Sequence, residues 1–259
     1  MPHLLNVWPS VSQRLRASPL VLLLFDYDGT LTPIVDRPEL ALLPPAVKKS
    51  LVQVSRKDKY VVGIISARSL EDVASKVSID GLLYAGNHGL EMRGPGLDFV
   101  HPEAERSAAT IGQAYHQLQG GLAHLAGVFT EHKGLSLTVH YRLAQATAAE
   151  VKGIVEEAIS GLIKTEALVV SPGKMAFEIR PHLDWDKGKA ISRIISAYPQ
   201  ATLSLFFGDD RPDEAGFAAV QDAGGIGVFV GPAREPTAAT YRVDSPHEVS
   251  QVLGLMAQI

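Results

Sequence analysis

Two aspartates one residue apart, Asp26 and Asp28, stand in the run Asp26-Tyr27-Asp28-Gly29-Thr30, directly after an uninterrupted apolar stretch at residues 20–25. On an extended segment residues i and i+2 point the same way, and Gly29 lets the chain turn sharply behind them. Two such carboxylates repel unless a cation lies between them, and hard oxygen donors suit Mg²⁺. Asp-Gly is also ordinary turn chemistry, so this run taken alone leaves a plain acidic turn open. A second acidic group, Gly208-Asp209-Asp210-Arg211-Pro212-Asp213-Glu214, follows the apolar residues 202–207 in the same way. Ligands in open α/β sheets gather at the carboxyl ends of the strands, so the two clusters point to one shared edge. Ser66-Ala67-Arg68 closes a third apolar run, residues 60–65. A hydroxyl beside a helix N-terminus there can hold an anion. Asp186-Lys187-Gly188-Lys189 opens a helical pattern over residues 190–197, where Lys187 can neutralise a phosphoryl group and an aspartate together.

The elements that must carry these residues follow from the hydrophobic pattern. Runs at residues 20–25, 60–65 and 202–207 are apolar without alternation, which reads as parallel strands covered on both faces, and residues 82–85 and 226–230 continue the set. Pro44-Pro45 opens a helix reaching about Val54. The middle of the chain changes period. Ile111, Tyr115, Leu118, Leu122 and Leu125 mark an amphipathic helix, and a second helix spans about residues 147–163. Between them, residues 135–143 alternate strictly, with Leu135, Leu137, Val139, Tyr141 and Leu143 on one face and Ser136, Thr138, His140 and Arg142 on the other. A further alternating strand sets Met175, Phe177 and Ile179 against Ala176, Glu178 and Arg180. The predicted fold class is therefore α/β: a doubly wound parallel-sheet core made of residues 1–100 and 180–259, with an inserted α+β domain at 101–179. Gly94-Pro95-Gly96 and Arg180-Pro181 are the expected hinges.

In order and interval, these four signatures resemble those of the haloacid-dehalogenase superfamily phosphatases. Gly86-Asn87-His88-Gly89-Leu90-Glu91, Glu131-His132-Lys133, His140-Tyr141-Arg142 and Glu178-Ile179-Arg180-Pro181 narrow the resemblance to the trehalose-6-phosphate phosphatases, over residues 20–255. The family's Ser-Gly-Arg reads Ser66-Ala67-Arg68 here, and the extra methyl is expected to crowd the phosphate loop slightly. The resemblance implies a Rossmann-like core carrying a cap, and hydrolysis of trehalose 6-phosphate through a phosphoaspartyl intermediate. It implies that Asp26 is the nucleophile, that Asp28 is the general acid and base, and that Ser66 and Lys187 bind the phosphoryl oxygens. Mg²⁺ is expected on Asp26, the main-chain carbonyl of Asp28, and Asp209, with Asp210 and Asp213 behind them. The sugar contacts implied are Glu131, Lys133 and Glu178, joined by Asn87, His88 and Glu91; the polar strand faces add His140, Arg142 and Arg180. Another capped sugar phosphatase of the superfamily, or a non-catalytic sugar-phosphate-binding domain, are the competing readings.

Composition narrows the classes further. The 259 residues are 46% apolar and 20% charged, with net charge −4 and no cysteine. Disulfides, thiolate metal sites and cysteine nucleophiles are excluded. The mild acidity provides no basic footprint for nucleic acid, and no apolar run approaches a membrane span. A small-molecule sugar phosphate is the expected partner of a soluble, cytoplasmic, monomeric protein.

Overall fold

The computed structural model describes residues 1–233 and 236–259. The chain divides into two compact units, residues 1–99 with 185–259, and residues 100–184.

In the first unit the strands are β1 (Val21–Phe25), β2 (Tyr60–Ile65), β3 (Leu83–Gly86), β4 (Glu91–Gly94) and β5 (Leu97–Val100). In the second they are β6 (Phe129–His132), β7 (Leu137–His140), β8 (Leu168–Gly173) and β9 (Ala176–Pro181). The first unit then resumes with β10 (Leu203–Gly208), β11 (Ile226–Val230) and β12 (Tyr241–Val243). Among the described residues, its strands form one sheet of order β12-β11-β10-β1-β2-β3-β4-β5. Pairing is parallel from β12 through β3 and antiparallel between β3 and β4. The apolar runs are continuous because both faces are covered. Val21, Leu23 and Phe25 enter one buried cluster, with the helices Trp8–Ala17, Pro45–Ser55 and Pro246–Met256. Leu22 and Leu24 enter the other, with Lys187–Ala197 and Glu214–Asp222. All five side chains of β1 are fully buried, and each contributes roughly 1.5–3 kcal/mol by leaving water. The doubly wound α/β architecture read from the sequence is the one observed.

The details depart from expectation in several places. Gly94-Pro95-Gly96 is no hinge. Pro95 and Gly96 form the tight turn between β4 and β5, with Gly96 at φ +73°, and the chain passes between units at Phe99/Val100 and Asp184/Trp185. Those two joints lie together, since Phe99 packs on Trp185 with ring centroids 5.7 Å apart and the Arg193 guanidinium covers Phe99 at 3.8 Å. Leu143, assigned to the buried face of an alternating strand, is 46% exposed, because β7 ends at His140 and the chain turns.

The second unit is a four-stranded antiparallel sheet of order β6-β7-β9-β8. Its apolar face (Leu137, Val139, Phe177 and Ile179) packs on Ile111, Ala114 and Leu118 of the helix Ala108–Leu122 and on Val151 and Val155 of Ala148–Ala158. The second helix starts at a reciprocal cap in which Thr147 accepts from the Glu150 amide and the Glu150 carboxylate accepts from the Thr147 amide. It breaks at Ile159 (φ −110°, ψ 21°), so the expected single helix is two, the second being Ser160–Lys164. The turn between β8 and β9 carries Met175 at φ +57°, exposed instead of on the apolar face. Among the described residues no helix is long and apolar enough to cross a membrane.

Candidate active site

β1 and β10 run side by side, and the Asp26 amide bonds the Phe207 carbonyl at 2.8 Å, one step beyond the paired strands. Phe25 and Phe207 stack beneath this edge with centroids 4.9 Å apart. Topology thus brings Asp26 and Gly208-Asp209 to the same carboxyl edge, as their spacing required. The chain turns after Asp28 through Gly29, at φ +95°; a Cβ there would lie 2.1 Å from an oxygen of Asp209. Gly208 is needed for closeness alone, because a Cβ on it would meet Asp213 Cγ at 2.5 Å. Gly29→Ala therefore strains the backbone, at about 1–3 kcal/mol, and displaces Asp209. The expected result is a lower melting temperature together with a weaker thermal shift on adding Mg²⁺.

Lys187, the first residue of the helix Lys187–Ala197, is positioned by Asp186, whose carboxylate caps that helix by accepting from the Lys189 amide at 2.9 Å. Its ammonium donates to Asp26 Oδ1 at 2.7 Å and to Asp213 Oδ1 at 2.6 Å, with all three groups buried. The other oxygen of Asp213 accepts from the amides of Asp209 and Asp210, at 2.9 and 3.0 Å. Asp213 is thus an anchor for Lys187 and for the β10 loop. Asp210 caps the short turn Arg211–Asp213 through the Arg211 amide.

Burial pushes the Asp26 carboxyl well above its ordinary range, Asp213 and Asp209 push it further, and Lys187 pulls it back. Burial alone lowers the proton affinity of Lys187, but Asp213 and Asp26 outweigh it and hold the ammonium charged. Asp26, Asp209 and Asp213 each bring a carboxylate oxygen within 4.8 Å of the others. Three carboxyl groups share one ammonium in a largely buried place, a deficit of positive charge that the raised proton affinity of Asp26 reflects. That deficit, with oxygen-only donors, fits a hard divalent cation on Asp26 and Asp209, the oxygens of Asp213 being already engaged.

Asp28 does not join this cluster with its side chain. Both of its oxygens accept from Arg68: Nε to Oδ2 and Nη2 to Oδ1, each at 2.7 Å. Ser66 directly follows β2 and is buried, its Oγ accepting from the Arg68 amide at 3.2 Å. Ala67 is not among the positive-φ residues of the described chain, so its methyl adds no strain of that kind to the loop. Arg68 stood in the sequence only as the third letter of a signature. The signal that could have marked it is Asp72 one helical turn later, to which its Nη1 donates at 2.6 Å.

Asn87 and Glu91, expected on the sugar, are turned to each other: Asn87 Nδ2 donates to Glu91 Oε1 at 2.7 Å. That same oxygen accepts the Leu70 amide at 2.8 Å and so serves the N-terminus of the helix Leu70–Val77. A helix start leaves amides in need of acceptors, and a polar pair doing that work looks the same in sequence as a ligand pair. Asn87, His88 and Gly89 all have positive φ (49°, 56°, 84°), and the run is tied to the Ser66 loop by Asn87 N to Arg68 O and His88 N to Ser66 O.

In the second unit, Glu131 pairs with Thr138 on β7, which pairs with Glu178 on β9, so the three lie in one row across the sheet. Glu131 Oε2 meets His140 Nε2 at 2.8 Å and Lys133 Nζ at 4.0 Å, and Phe129 stacks on the His140 ring. Arg180 shares the Glu178 side of β9. This polar face is not open throughout, since Ser136, Thr138 and Lys133 are buried. Arg142 leaves it: it lies past the end of β7 and donates to the Lys174 carbonyl at 3.0 Å.

Residues 24–247 match the family model described as trehalose-phosphatase. A trehalose-phosphate phosphatase of Mycobacterium marinum is 34% identical over 92% of this chain and 62% of its own length. An uncharacterized glycosyl hydrolase of Mycobacterium tuberculosis is 35% identical over 99% of this chain but 20% of its own. The chain therefore spans about three fifths or less of these relatives. Among solved structures, the C-terminal domain of a Candida albicans trehalose-6-phosphate phosphatase superposes with TM-score 0.83 at 26% identity, covering 99% of this chain and 98% of that one. With the family model covering most of its length, and a solved relative matching it end to end, this chain belongs to the trehalose-phosphatase family.

Proposed function

We propose that the chain is a Mg²⁺-dependent phosphatase that hydrolyses trehalose 6-phosphate to trehalose and phosphate through a phosphoaspartyl intermediate. The observation that carries this is the buried Lys187 bridging Asp26 and Asp213 beside Asp209, at the edge where β1 and β10 end. Such an edge presents a carboxylate nucleophile next to a fixed cation.

An oxygen of Asp26 bonds to phosphorus as the bond from phosphorus to the sugar oxygen breaks, and Asp28 gives that oxygen a proton. A water then yields its proton to Asp28 and bonds to phosphorus, while the acyl phosphate bond breaks and frees Asp26. Lys187 and the hydroxyl of Ser66 hold the phosphoryl oxygens whose charge must be stabilised in the transition state. Asp26 and Asp209 would hold the metal ion, with the Asp28 carbonyl as the remaining protein donor, and when bound it supplies charge neutralisation between an anionic carboxylate and an anionic phosphate. The row of Glu131, Thr138 and Glu178, with Lys133 beside Glu131, offers the charged donors and acceptors that a polyhydroxy ligand needs. His88, His140 and Arg180 complete the candidate contacts, while Asn87 bonds Glu91, which accepts the amide that opens the helix Leu70–Val77.

Phosphate release over a panel of sugar phosphates, with and without Mg²⁺, tests the proposal. Trehalose 6-phosphate should turn over fastest and chelation should abolish turnover. A faster reaction with sucrose or glucose 6-phosphate overturns the substrate, and full activity in chelator overturns the metal.

A further inference from the structure

Asp28 has to give one proton away and take one back, so the direction of its carboxylate matters as much as its presence. It lies just past β1, in an isolated bridge to Thr32, and its side chain is 34% exposed, so packing alone does not fix its direction. Both of its oxygens are nevertheless engaged, and by one residue. Arg68 presents Nε and Nη2 as a planar fork, each 2.7 Å from its carboxylate oxygen. A two-pronged contact of this kind fixes the plane of a carboxylate as well as its distance.

The fork is itself held without help from Asp28. Nη1 donates to Asp72 at 2.6 Å and Nη2 to the Pro38 carbonyl at 2.9 Å. The guanidinium lies 5.4 Å from the centre of the Tyr27 ring, and the side chain is only 7% exposed. Its backbone is fixed as well, the amide on Ser66 Oγ and the carbonyl on the Asn87 amide at 2.6 Å. An anchored fork meeting an otherwise loosely held acid is a template: the acid conforms to it and not the reverse.

We propose that Arg68 is the positioning residue of Asp28, holding the carboxylate in the plane from which it exchanges protons with the leaving oxygen and with water, and registering it to Ser66. This rests on the phosphatase reading above, and it adds a residue to which the sequence assigned no task. Arg68 does not touch the phosphoryl group in this role. Its effect passes entirely through Asp28.

The test is a double-mutant cycle on the full chain, with steady-state rates on trehalose 6-phosphate and on p-nitrophenyl phosphate and a melting temperature for every variant. Arg68→Met should lower kcat about 10- to 100-fold, the penalty of a misaligned reacting group, with KM little changed. In the Asp28→Asn background the same change should cost almost nothing more, because the two residues act as one. Arg68→Lys should fail to restore kcat, since one ammonium cannot hold two oxygens in a plane. An equal loss in both backgrounds, or full activity in Arg68→Lys, overturns the proposal. If Arg68→Met unfolds, the lysine variant decides alone: a kcat loss at unchanged melting temperature supports the assignment, and wild-type kcat defeats it. A wild-type chain that hydrolyses only the aryl ester overturns the sugar substrate and leaves Arg68 measurable on that ester. A chain that hydrolyses neither overturns the phosphatase reading, and the role of Arg68 with it.

Discussion

On the proposed function, replacing Asp26 with asparagine should abolish phosphate release, by about four orders of magnitude or more in kcat, the usual cost of losing a covalent nucleophile, while the fold survives. The carboxamide has nearly the same shape, so Phe25, Phe207 and the strand pairing beneath it are undisturbed. Electrostatics favour survival too. Asp26 is a buried carboxyl whose ionisation is opposed by burial and then by Asp213 and Asp209, so removing its charge relieves repulsion while Lys187 keeps Asp213. The melting temperature of the metal-free variant should equal or exceed that of the original. The stabilisation conferred by Mg²⁺, which follows site occupancy, should shrink sharply. A thermal shift on Mg²⁺ addition as large as the original's would show that Asp26 is not a ligand.

Lys187→Met has the opposite signature. It removes the single ammonium between Asp26 and Asp213 and leaves two buried carboxylates facing an apolar side chain. Stripping one partner from a buried ion pair costs about 3–5 kcal/mol, because the remaining charge is uncompensated, and here two charges remain. Urea denaturation should show that loss as a lower midpoint at unchanged slope, with phosphatase activity lost as well. Saturating Mg²⁺ should recover part of the stability and none of the activity. If the variant is as stable as the original in chelator, the ammonium is not what holds Asp213 and Asp26 together.

The core was legible because its chemistry and its hydrophobicity coincide. β1, β2 and β10 are buried on both faces, so their runs are almost wholly apolar, and each is followed directly by a polar residue, Asp26, Ser66 and Asp209. Short edge strands carry no such pattern. β4 and β5 have four residues each, partly exposed, and the Gly-Pro-Gly between them reads equally well as a joint. β6 and β8, the edge strands of the second unit, went unread because their side chains are mostly partly or fully exposed. At the site, sequence identifies which side chains carry charge but not whom they face. The partners Asp28 and Arg68 lie 40 residues apart, and Lys187 and Asp26 lie 161 apart. Of those pairs only the second belongs to a signature whose members are expected to meet, so Arg68 was passed over. Asn87 and Glu91 were read as contacts to sugar hydroxyls, and nothing in a sequence says that a helix start nearby also calls on Glu91 as an acceptor.

Phe99 and Trp185 touch although residues 100–184 intervene. To the sheet that carries Asp26, the whole intervening stretch is therefore a loop whose base is already closed. The entropy of closing a loop grows by only about 0.6 kcal/mol for each doubling of its length, so the sheet is nearly indifferent to how long that stretch is or what it folds into. Lengthening or shortening residues 100–184 should therefore leave the stability of that sheet almost unchanged. The contact of Phe99 with Trp185 is where the first unit closes on itself without the second.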